Sequence, residues 1–510
     1  MTPCPHRLPR RLLATALAAS TCVAATDGLA TQAATAPQLR TDPARRIFPA
    51  FAAERARPGR PSAPADVLTV TNCADDGPGS LRAAVAAAND NDEIDLSQLT
   101  CSRITLTTGA IEVDVDSLTL TGPSRYHLSL DANHLDRVLI HPANGALTVK
   151  RLTIENGRDR ATGFHVSGGG CIASAAFLYL DDTSVRSCYA GGEGSYGGAL
   201  YAYAVTLDHS IVSGSVAKGV HEDAGTAAFG GAIFTYNLDL TASTVSGNRA
   251  VHEVRDGRTS YDIGGGIVTI VGGNIRDSTI DSNYSEGRAG GIATFNPLLL
   301  SNSTVSGNVA ADGAGGGLFM RWPSIVRAVS STITANRASA GGGAWVEADG
   351  SALYSTIVYG NTADPTGSPN LQGRTSLTIA GHHDLIGPGD GSLALPADTL
   401  GDDPLLGPLR SNGGPTRTHA LAPGSPALDA GSNVDGLAFD QRGAAFSRAY
   451  GAAPDIGAFE QGAPVLEPTA VPGLSARVAM LLAALLGGAG LACLRTRTRP
   501  TVAERPPRHR

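Results

Sequence analysis

Three pairs of adjacent aspartates are the residues of this 510-residue chain best suited to acid–base chemistry: Asp75-Asp76, Asp181-Asp182 and Asp402-Asp403. Hydrolysis of a glycosidic bond uses two carboxyl groups, one as general acid and one as base or nucleophile. Adjacent strand residues point to opposite faces, so a catalytic pair needs carboxylates from different strands. Because a turn is expected at Asp181, the sequence favours solvated turn acids there, with a glycosidase site as the alternative.

A second set of reactive side chains lies in two long insertions, at 216–229 and 249–263. Insertions in neighbouring repeats are expected to leave the same face of a repeat protein and to meet there. Their imidazoles and carboxylates suit a ligand, a protein partner or a cation. The candidate binding patch comprises His221, Glu222, Asp223, His252, Glu253 and Asp256. The alternative is a pair of solvated loops, and no motif indicates a catalytic residue, a resident metal or a cofactor.

Few other residues of the chain are candidates for binding or cleaving a polysaccharide. Trp322 and Trp345 could stack on sugar rings, although tryptophans in glycine-rich segments also serve as packing residues. A calcium-dependent lyase needs clustered carboxylates and a basic residue as general base. Residues 61–470 contain only two lysines, Lys150 and Lys218. The available side chains therefore favour a protein without catalytic activity and leave an enzyme as the alternative.

A repeated unit must position these side chains, and it occurs seven times between residues 168 and 345. Each copy has a Ser/Thr-Val/Ile pair, a small polar residue soon after it, a variable loop and a Gly-Gly pair. The glycine pairs are Gly169-Gly170, Gly197-Gly198, Gly230-Gly231, Gly265-Gly266, Gly290-Gly291, Gly316-Gly317 and Gly342-Gly343. A period of roughly 20–50 residues indicates stacked supersecondary units.

The residues between the glycine pairs predict strands. Short runs of Val, Ile, Leu and Thr are bounded by Gly, Asn, Asp and Ser, as is typical of strands and turns. Because the strands recur about every 29 residues without an intervening helix, they cannot be βαβ units. We expect parallel strands stacked about 4.8 Å apart. The predicted fold class is therefore all-β, a parallel β-helix over residues 104–400.

Asparagine recurs at one phase of the repeat. Asn248, Asn283, Asn308 and Asn336 each follow the Val/Ile residue by three positions. Stacked in register, their amides can hydrogen-bond along the column, although asparagine also forms isolated turns. Recurrence at a single phase favours the ladder.

Four cysteines lie between the two ends of the chain, at Cys73, Cys101, Cys171 and Cys188. An even number of cysteines in an exported chain favours two disulfides. Proximity in sequence pairs Cys73 with Cys101 and Cys171 with Cys188, one of three possible connectivities. No C-x-x-C or histidine spacing supports a metal site at these cysteines.

Both ends of the chain carry targeting features. Residues 1–36 have arginines before an apolar run and predict an export signal cleaved at about 25–36, followed by a Pro/Ala/Arg-rich spacer over 37–65. Residues 476–495 are apolar and predict a transmembrane helix, with 496–510 as a basic cytoplasmic tail. We therefore expect an exported protein that is anchored to the membrane of a bacterial envelope or at the cell surface.

Charge is segregated along the chain. Residues 1–60 and 471–510 each carry a net charge of +6, so the total of −7 leaves −19 on residues 61–470. An acidic body repels polyanions and argues against nucleic acid as a partner.

Two segments of the chain resemble known families. Residues 70–89, with Ser80-Leu81-Arg82 at their centre, resemble the N-terminal cap of exported right-handed parallel β-helix proteins. This resemblance implies a right-handed solenoid with a short capping helix within residues 66–103. Residues 401–462 resemble the choice-of-anchor Q domain, which implies a C-terminal cap. Within it we expect Arg442 to pair with an acid and His419 to cap a turn, and a functional site formed by these residues is the alternative. The motifs are Asn412-Gly413-Gly414-Pro415-Thr416, Gly424-Ser425-Pro426-Ala427-Leu428-Asp429, Asp440-Gln441-Arg442-Gly443 and Asp455-Ile456-Gly457-Ala458-Phe459-Glu460.

The linker over residues 463–475 ends in a motif that resembles a degenerate Ile-Pro-Thr-Leu sorting signal. The motif is Val471, Pro472, Gly473, Leu474 and Ser475, and glycine stands where the family has threonine. The resemblance implies an exosortase-like processing enzyme as a partner.

These features together predict a non-catalytic, surface-displayed protein that adheres to or interacts with an extracellular glycan or protein. A polysaccharide lyase or glycoside hydrolase is the first alternative, and a structural envelope protein is the second. Carboxylates from adjacent coils that converge in a groove would favour the enzyme.

Overall fold

The computed structural model describes residues 65–462, except 161–166, 193, 221–226, 254–260, 366, 375 and 390–391. All of these residues lie within one compact unit. Strands of successive coils pair in parallel throughout the solenoid, which confirms the predicted all-β parallel β-helix.

The predicted export signal, sorting motif, transmembrane helix and basic tail lie outside the described residues. Within the part of the chain that is described, no helix has the length and apolar character needed to cross a membrane.

Sheet 1 has 19 strands because many coils contribute two short consecutive strands to it or one long bent strand. Its strands are Val67–Thr69, Asp92–Asp95, Ile111–Glu112, Leu118–Thr121, Leu139–His141, Ala146–Lys150, Ile172–Ser174, Phe177–Asp181, Leu200–Asp208, Ile233–Thr241, Ile267–Arg276, Ile292–Thr294, Leu298–Ser301, Leu318–Met320, Val326–Val329, Ala344–Val346, Ala352–Tyr354, Leu371–Gly373 and Ala380–His382.

Sheet 2 has 11 strands, one from each coil, so the solenoid makes about 11 turns. Its strands are Arg103–Thr105, Ser129–Asp131, Thr153–Glu155, Ser184–Arg186, Ile211–Ser213, Thr244–Ser246, Thr279–Asp281, Thr304–Ser306, Thr332–Thr334, Ile357–Tyr359 and Leu385–Ile386. The central residues, such as Val245, Ile280 and Val305, pair in register and are fully buried. The Val/Ile residue of the repeat therefore lines the core, where apolar burial stabilises the stack.

The remaining sheets are smaller. Sheet 3 contains Arg158–Arg160, Tyr189–Gly192, Val216–Gly219, Arg249–His252, Tyr284–Ser285, Val309–Ala310, Arg337–Ala338 and Thr362–Ala363. A three-stranded sheet contains Ser167–Gly168, Ser195–Tyr196 and Ala228–Phe229, and a two-stranded sheet contains Leu377–Thr378 and Leu393–Ala394.

The glycine pairs stand where successive coils approach most closely. A Cβ atom on Gly231 would lie 2.1 Å from the carbonyl oxygen of Gly265 in the next coil. Gly230, just before it, has a φ of 72°, in the left-handed region that favours glycine. The pair therefore combines a sharp corner with a contact that has no room for a side chain.

The asparagines form a buried column at the turn between sheets 2 and 3. The Nδ2 atom of Asn308 donates to Oδ1 of Asn336 at 2.9 Å, and Oδ1 of Asn308 accepts from Nδ2 of Asn283 at 2.9 Å. The column contains Asn248, Asn283, Asn308, Asn336, Asn361 and Asn370. These polar side chains are tolerated in the interior because the stack satisfies their hydrogen bonds.

Both disulfides have the pairing expected from proximity. Cys73 is bonded to Cys101 and Cys171 to Cys188, which confirms the prediction. The Cys171–Cys188 disulfide lies in the core, and its second cysteine takes the phase that asparagine occupies in later coils.

The α-helix of the described residues, Leu81–Ala87, makes about two turns and lies beside the first coil. The Oγ atom of Ser80 accepts a hydrogen bond from the backbone N–H of Ala83, which is the N-cap interaction favoured by serine. Leu81 and Val85 are buried in the core, so the helix adds its apolar side chains to the interior of the solenoid.

The C-terminal segment, residues 401–462, lies along the outward face of sheet 2. It contacts strands of five successive coils, at Thr279, Thr304, Thr332, Ile357 and Leu385. The side chain of Gln441 joins two of these coils: Oε1 accepts from Thr304 Oγ1 at 2.6 Å, and Nε2 donates to Thr279 Oγ1 at 2.9 Å. The segment therefore fastens separate coils to one another from the side.

Ionic contacts hold the same segment in its own conformation. Arg442 pairs with Asp440 at 2.6 Å, and both side chains are buried. His419 places Nε2 2.9 Å from the Ser306 hydroxyl and Nδ1 2.7 Å from the carbonyl oxygen of Gly407. The histidine thus connects a turn of the segment to the solenoid.

Candidate ligand-binding groove

A groove of about 530 Å³ runs across the outward face of sheet 1. Its floor is formed by the strands Leu200–Asp208, Ile233–Thr241, Ile267–Arg276 and Leu298–Ser301, and Arg327 closes one end. Because each strand belongs to a different coil, the groove follows the axis of the solenoid. An extended ligand lying along it would meet the side chains of several successive coils.

One ladder of side chains supplies the polar groups of the groove. Strand pairing puts Thr206, Asp239, Asn274, Leu299 and Arg327 side by side in consecutive coils. Neighbouring members stand about 4.8 Å apart, the spacing between paired strands. A hydroxyl, a carboxylate and an amide therefore face a ligand at regular intervals along the axis.

Buried threonines fix a bend in sheet 1 beside this ladder. Thr235, Thr269 and Thr294 are paired in register and lie in the interior. Each Oγ1 donates to a carbonyl oxygen shortly after it in the chain; for Thr269 the acceptor is Gly272, at 2.6 Å. The repeated hydrogen bond keeps the bend in line from coil to coil, and residues just after it point outward.

Gly272 allows one coil to contribute an extra residue at the bend. The pairing register shifts between Thr235 and Asn237 where their strand lies against Ile267–Arg276. Gly272 has a φ of 104°, and a Cβ atom there would lie 2.0 Å from the carbonyl oxygen of Pro297. Only glycine fits this conformation and this approach, so the floor of the groove stays open at this coil.

Aromatic side chains stand along the rim of the groove. The rings of Tyr203 and Tyr236 are stacked with centroids 5.5 Å apart, and Phe177 meets Tyr203 edge to face at 6.2 Å. Val271, which lines the groove, is 50% exposed, and Trp322 is 67% exposed. Partly exposed rings beside a groove can serve as a contact surface for a ligand.

The charges of the groove nearly cancel. Arg327 makes a two-pronged ion pair with Asp435 of the C-terminal segment, at 2.7 and 2.6 Å. Hydrogen bonds from this guanidinium lower the pKa of the Asp435 carboxyl below its ordinary value. Asp239 is the remaining charged side chain of the lining, which otherwise presents amides, hydroxyls and apolar groups. The groove therefore suits a neutral ligand with many hydroxyls.

A carboxylate pair from adjacent coils lies on the next outward ladder. Asp181 ends the strand Phe177–Asp181 and is in register with Lys150 of the coil before and Asp208 of the coil after. The predicted turn begins one residue later, at Asp182, whose φ is 45°. Two carboxylates on neighbouring strands and a lysine beside them are groups that acid–base chemistry can use.

The predicted binding patch is divided by the structure. His221, Glu222, Asp223 and Asp256 lie outside the described residues. His252 is buried and contacts Asp262 and Glu286, whereas the exposed side chain of Glu253 lies 3.8 Å from Lys218. The ring of His252 therefore points inward from the end of a sheet 3 strand, and the patch as a whole remains a prediction.

Sequence reasoning missed most of the groove. Trp322 was recognised as a possible sugar platform and is exposed, while Trp345 is half-buried and donates to Glu347 at 3.3 Å. No role was predicted for Tyr203 or Tyr236, although they lie in paired strands of consecutive coils. An alignment of the repeats on their glycine pairs could have shown these aromatics at one phase.

Comparisons with known proteins add a fold neighbour and no family. No family model matches the chain, and no curated protein matches it. Among solved structures, the crystal structure of pectate lyase Pel9A is similar, with a TM-score of 0.39 and 13% identity over 78% of this chain and 97% of that chain. A similarity of this size says nothing about activity, and the fold assignment rests on the strand pairing itself.

Proposed function

We propose that this protein binds an extended, neutral polysaccharide along the groove of sheet 1 and acts as a non-catalytic adhesion protein. The observation that carries the proposal is the stacked pair Tyr203 and Tyr236 on the same face as a regular polar ladder. Aromatic faces stack on the C–H faces of sugar rings, and amides and carboxylates hydrogen-bond their hydroxyls. A groove that crosses several coils matches a polymer rather than a single small molecule.

The charges of the protein support a neutral polymer over an acidic one. Residues 61–470 carry a net charge of −19, so a polyanion is repelled at long range. Within the groove, the guanidinium of Arg327 is already paired with Asp435, which leaves it poorly placed to neutralise a second carboxylate. Neutral glucans, mannans and xylans are accordingly the polymers to test first.

The double substitution Tyr203→Ala/Tyr236→Ala is expected to weaken binding of the best neutral polysaccharide by roughly 30-fold. Each stacked ring contributes about 1 kcal/mol beyond its buried area, and two such losses give a factor of this size. Calorimetric titration of purified residues 66–465 with neutral and acidic polymers measures the effect.

Tyr126→Ala is the matched control, because Tyr126 is 79% exposed and lies in a turn rather than in a strand of sheet 1. The control should bind as the unmodified protein does. Failure of every neutral polymer to bind, or equal binding by the double variant, would refute the proposal.

A polysaccharide hydrolase is the second candidate, favoured by the register pair of Asp181 and Asp208. Adjacent-coil carboxylates are the arrangement that glycoside hydrolysis requires. The same polymer panel decides between the two functions when new reducing ends and unsaturated products are assayed. Release of reducing ends that Asp208→Asn abolishes would establish the enzyme; intact polymer with retained binding supports adhesion.

We further propose that the chain is exported and held at the bacterial envelope through its C-terminal end. The apolar residues 476–495, the arginines after them and the sorting-like motif at 471–475 support this anchor. The similarity of residues 401–462 to choice-of-anchor Q domains fits the same arrangement. An exosortase-like enzyme is the processing partner that such a motif implies.

Truncation after residue 470 is expected to move the protein from the membrane fraction to the soluble extracytoplasmic fraction. Loss of the apolar segment removes the free energy that holds it in the bilayer. Fractionation of cells that produce the full chain or the truncated chain measures the change. A truncated protein that stays in the membrane fraction would contradict the anchor.

A further inference from the structure

Three side chains of types that can ligate a metal meet at a buried corner of the solenoid, away from the groove. His252 ends a sheet 3 strand, Asp262 follows the insertion of the same coil, and Glu286 follows the sheet 3 strand of the next coil. The Nδ1 atom and the carboxylate oxygens all lie within 4.8 Å of one another. Nitrogen and oxygen donors are thus collected from three separate stretches of chain.

The distances between the donor atoms are short. His252 Nδ1 lies 2.7 Å from Asp262 Oδ2 and 2.8 Å from Glu286 Oε2, so two carboxylates converge on one ring nitrogen. The side chains of His252 and Asp262 are 1% and 0% exposed, and that of Glu286 is 11% exposed. Glu286 is therefore the least buried of the three side chains.

Backbone hydrogen bonds fix the two carboxylates in place. Asp262 Oδ1 accepts from the N–H of Ala228 at 2.7 Å, and Glu286 Oε2 accepts from the N–H of His252 at 2.9 Å. Parallel pairing of the neighbouring strands holds these backbone groups rigidly. Second-shell hydrogen bonds of this kind are what orient ligands in metal sites.

We propose that His252, Asp262 and Glu286 form a binding site for a divalent first-row transition metal, with Zn²⁺ as the ion that fits best. With a neutral imidazole the three groups carry a formal charge of −2, which a divalent cation balances. One nitrogen and two carboxylate ligands suit zinc, whereas calcium and magnesium prefer oxygen ligands alone.

Titration of the metal-free full chain with Zn²⁺ tests the proposal. We expect about one equivalent to bind and the Tm of the protein to rise. Mg²⁺ and Ca²⁺ at the same concentration should give neither signal. Metal analysis of the dialysed complex supplies the stoichiometry.

Conservative variants separate a metal site from a purely structural ion cluster. Glu286→Gln and Asp262→Asn retain a carbonyl oxygen for the backbone N–H, and each should lower zinc affinity by more than about 100-fold. His209→Gln is the control, since His209 forms an exposed pair with Asp208 at 2.7 Å and would report adventitious zinc. No stoichiometric zinc, or equal affinity in the folded variants, would overturn the site; circular dichroism establishes that each variant is folded.

Discussion

Replacing Arg448 by methionine is expected to destabilise the C-terminal segment by about 3–5 kcal/mol. The side chain of Arg448 is 1% exposed and donates to Glu460 Oε2 at 2.8 Å and to the Gly457 carbonyl oxygen at 2.8 Å. Methionine fills similar space and makes none of these bonds. The carboxylate of Glu460, which is fully buried, would then lack the guanidinium that compensates it.

Hydrogen exchange at the amides of residues 455–460 measures this loss. A destabilisation of about 3 kcal/mol corresponds to more than a 100-fold faster exchange through local opening. Arg327→Met is the matched control, because the Arg327–Asp435 pair also joins the segment to the solenoid but its side chains are 40% and 29% exposed. Exposed pairs contribute about 1 kcal/mol or less. Equal effects of the two substitutions would contradict the larger contribution expected of the buried Arg448–Glu460 pair.

Asp384→Asn is expected to stabilise the protein at alkaline pH and to flatten its stability profile. Burial raises the pKa of the Asp384 carboxyl to about 8, although one oxygen accepts the N–H of Thr356 at 2.9 Å. The other oxygen, Oδ2, has no hydrogen-bond partner among the described residues. An asparagine retains the acceptor and cannot ionise, so it avoids the cost of a buried charge.

The sign of the pH dependence follows from the direction of this shift. Between the ordinary aspartate pKa, about 4, and the folded value, the folded state holds a proton that the unfolded chain has released. Stability therefore falls as pH rises through this window, by at most about 5 kcal/mol for a shift of this size. Burial also raises the pKa of Glu460 to about 7 and the pKa of Asp277 to about 6. Both groups therefore also make the stability of the protein fall as pH rises.

Urea unfolding at pH 5 and pH 8.5 measures the difference between the two proteins. The gap between Asp384→Asn and the unmodified chain should be small at pH 5 and several kcal/mol at pH 8.5. Asp349→Asn serves as control, because Asp349 is exposed and accepts one backbone N–H from Thr378 at 2.9 Å. A gap that stays constant with pH would show that Asp384 does not carry the shift.

The repeat was sufficient to predict the solenoid because its residues have the same role in every coil. Val245 and its equivalents face the core, Asn308 and its equivalents stack, and glycine pairs form the corners. Such positions need no knowledge of the rest of the chain, since each coil contacts mainly the coils next to it. The two disulfides could also be predicted, because in each one the bonded cysteines are close in sequence.

The groove and the buried cluster of His252, Asp262 and Glu286 depend on residues that do not repeat. Asp239, Asn274 and Arg327 come onto one ladder only through the register of consecutive coils, including the extra residue beside Gly272. The insertions predicted His252 as a functional residue, yet its partner Glu286 belongs to the following coil. Contacts of this kind are set by tertiary pairing, which periodicity alone does not specify.

The side-on position of the C-terminal segment has a mechanical consequence. In a protein held at its C-terminal end, tension from a bound polymer enters the body at residue 462. The first contacts to carry that load are Ala458 to Thr332 and Gly457 to Ser355, on strands inside the stack. Load that enters through these contacts would reach the stack without first passing through Leu385–Ile386, the last strand of sheet 2.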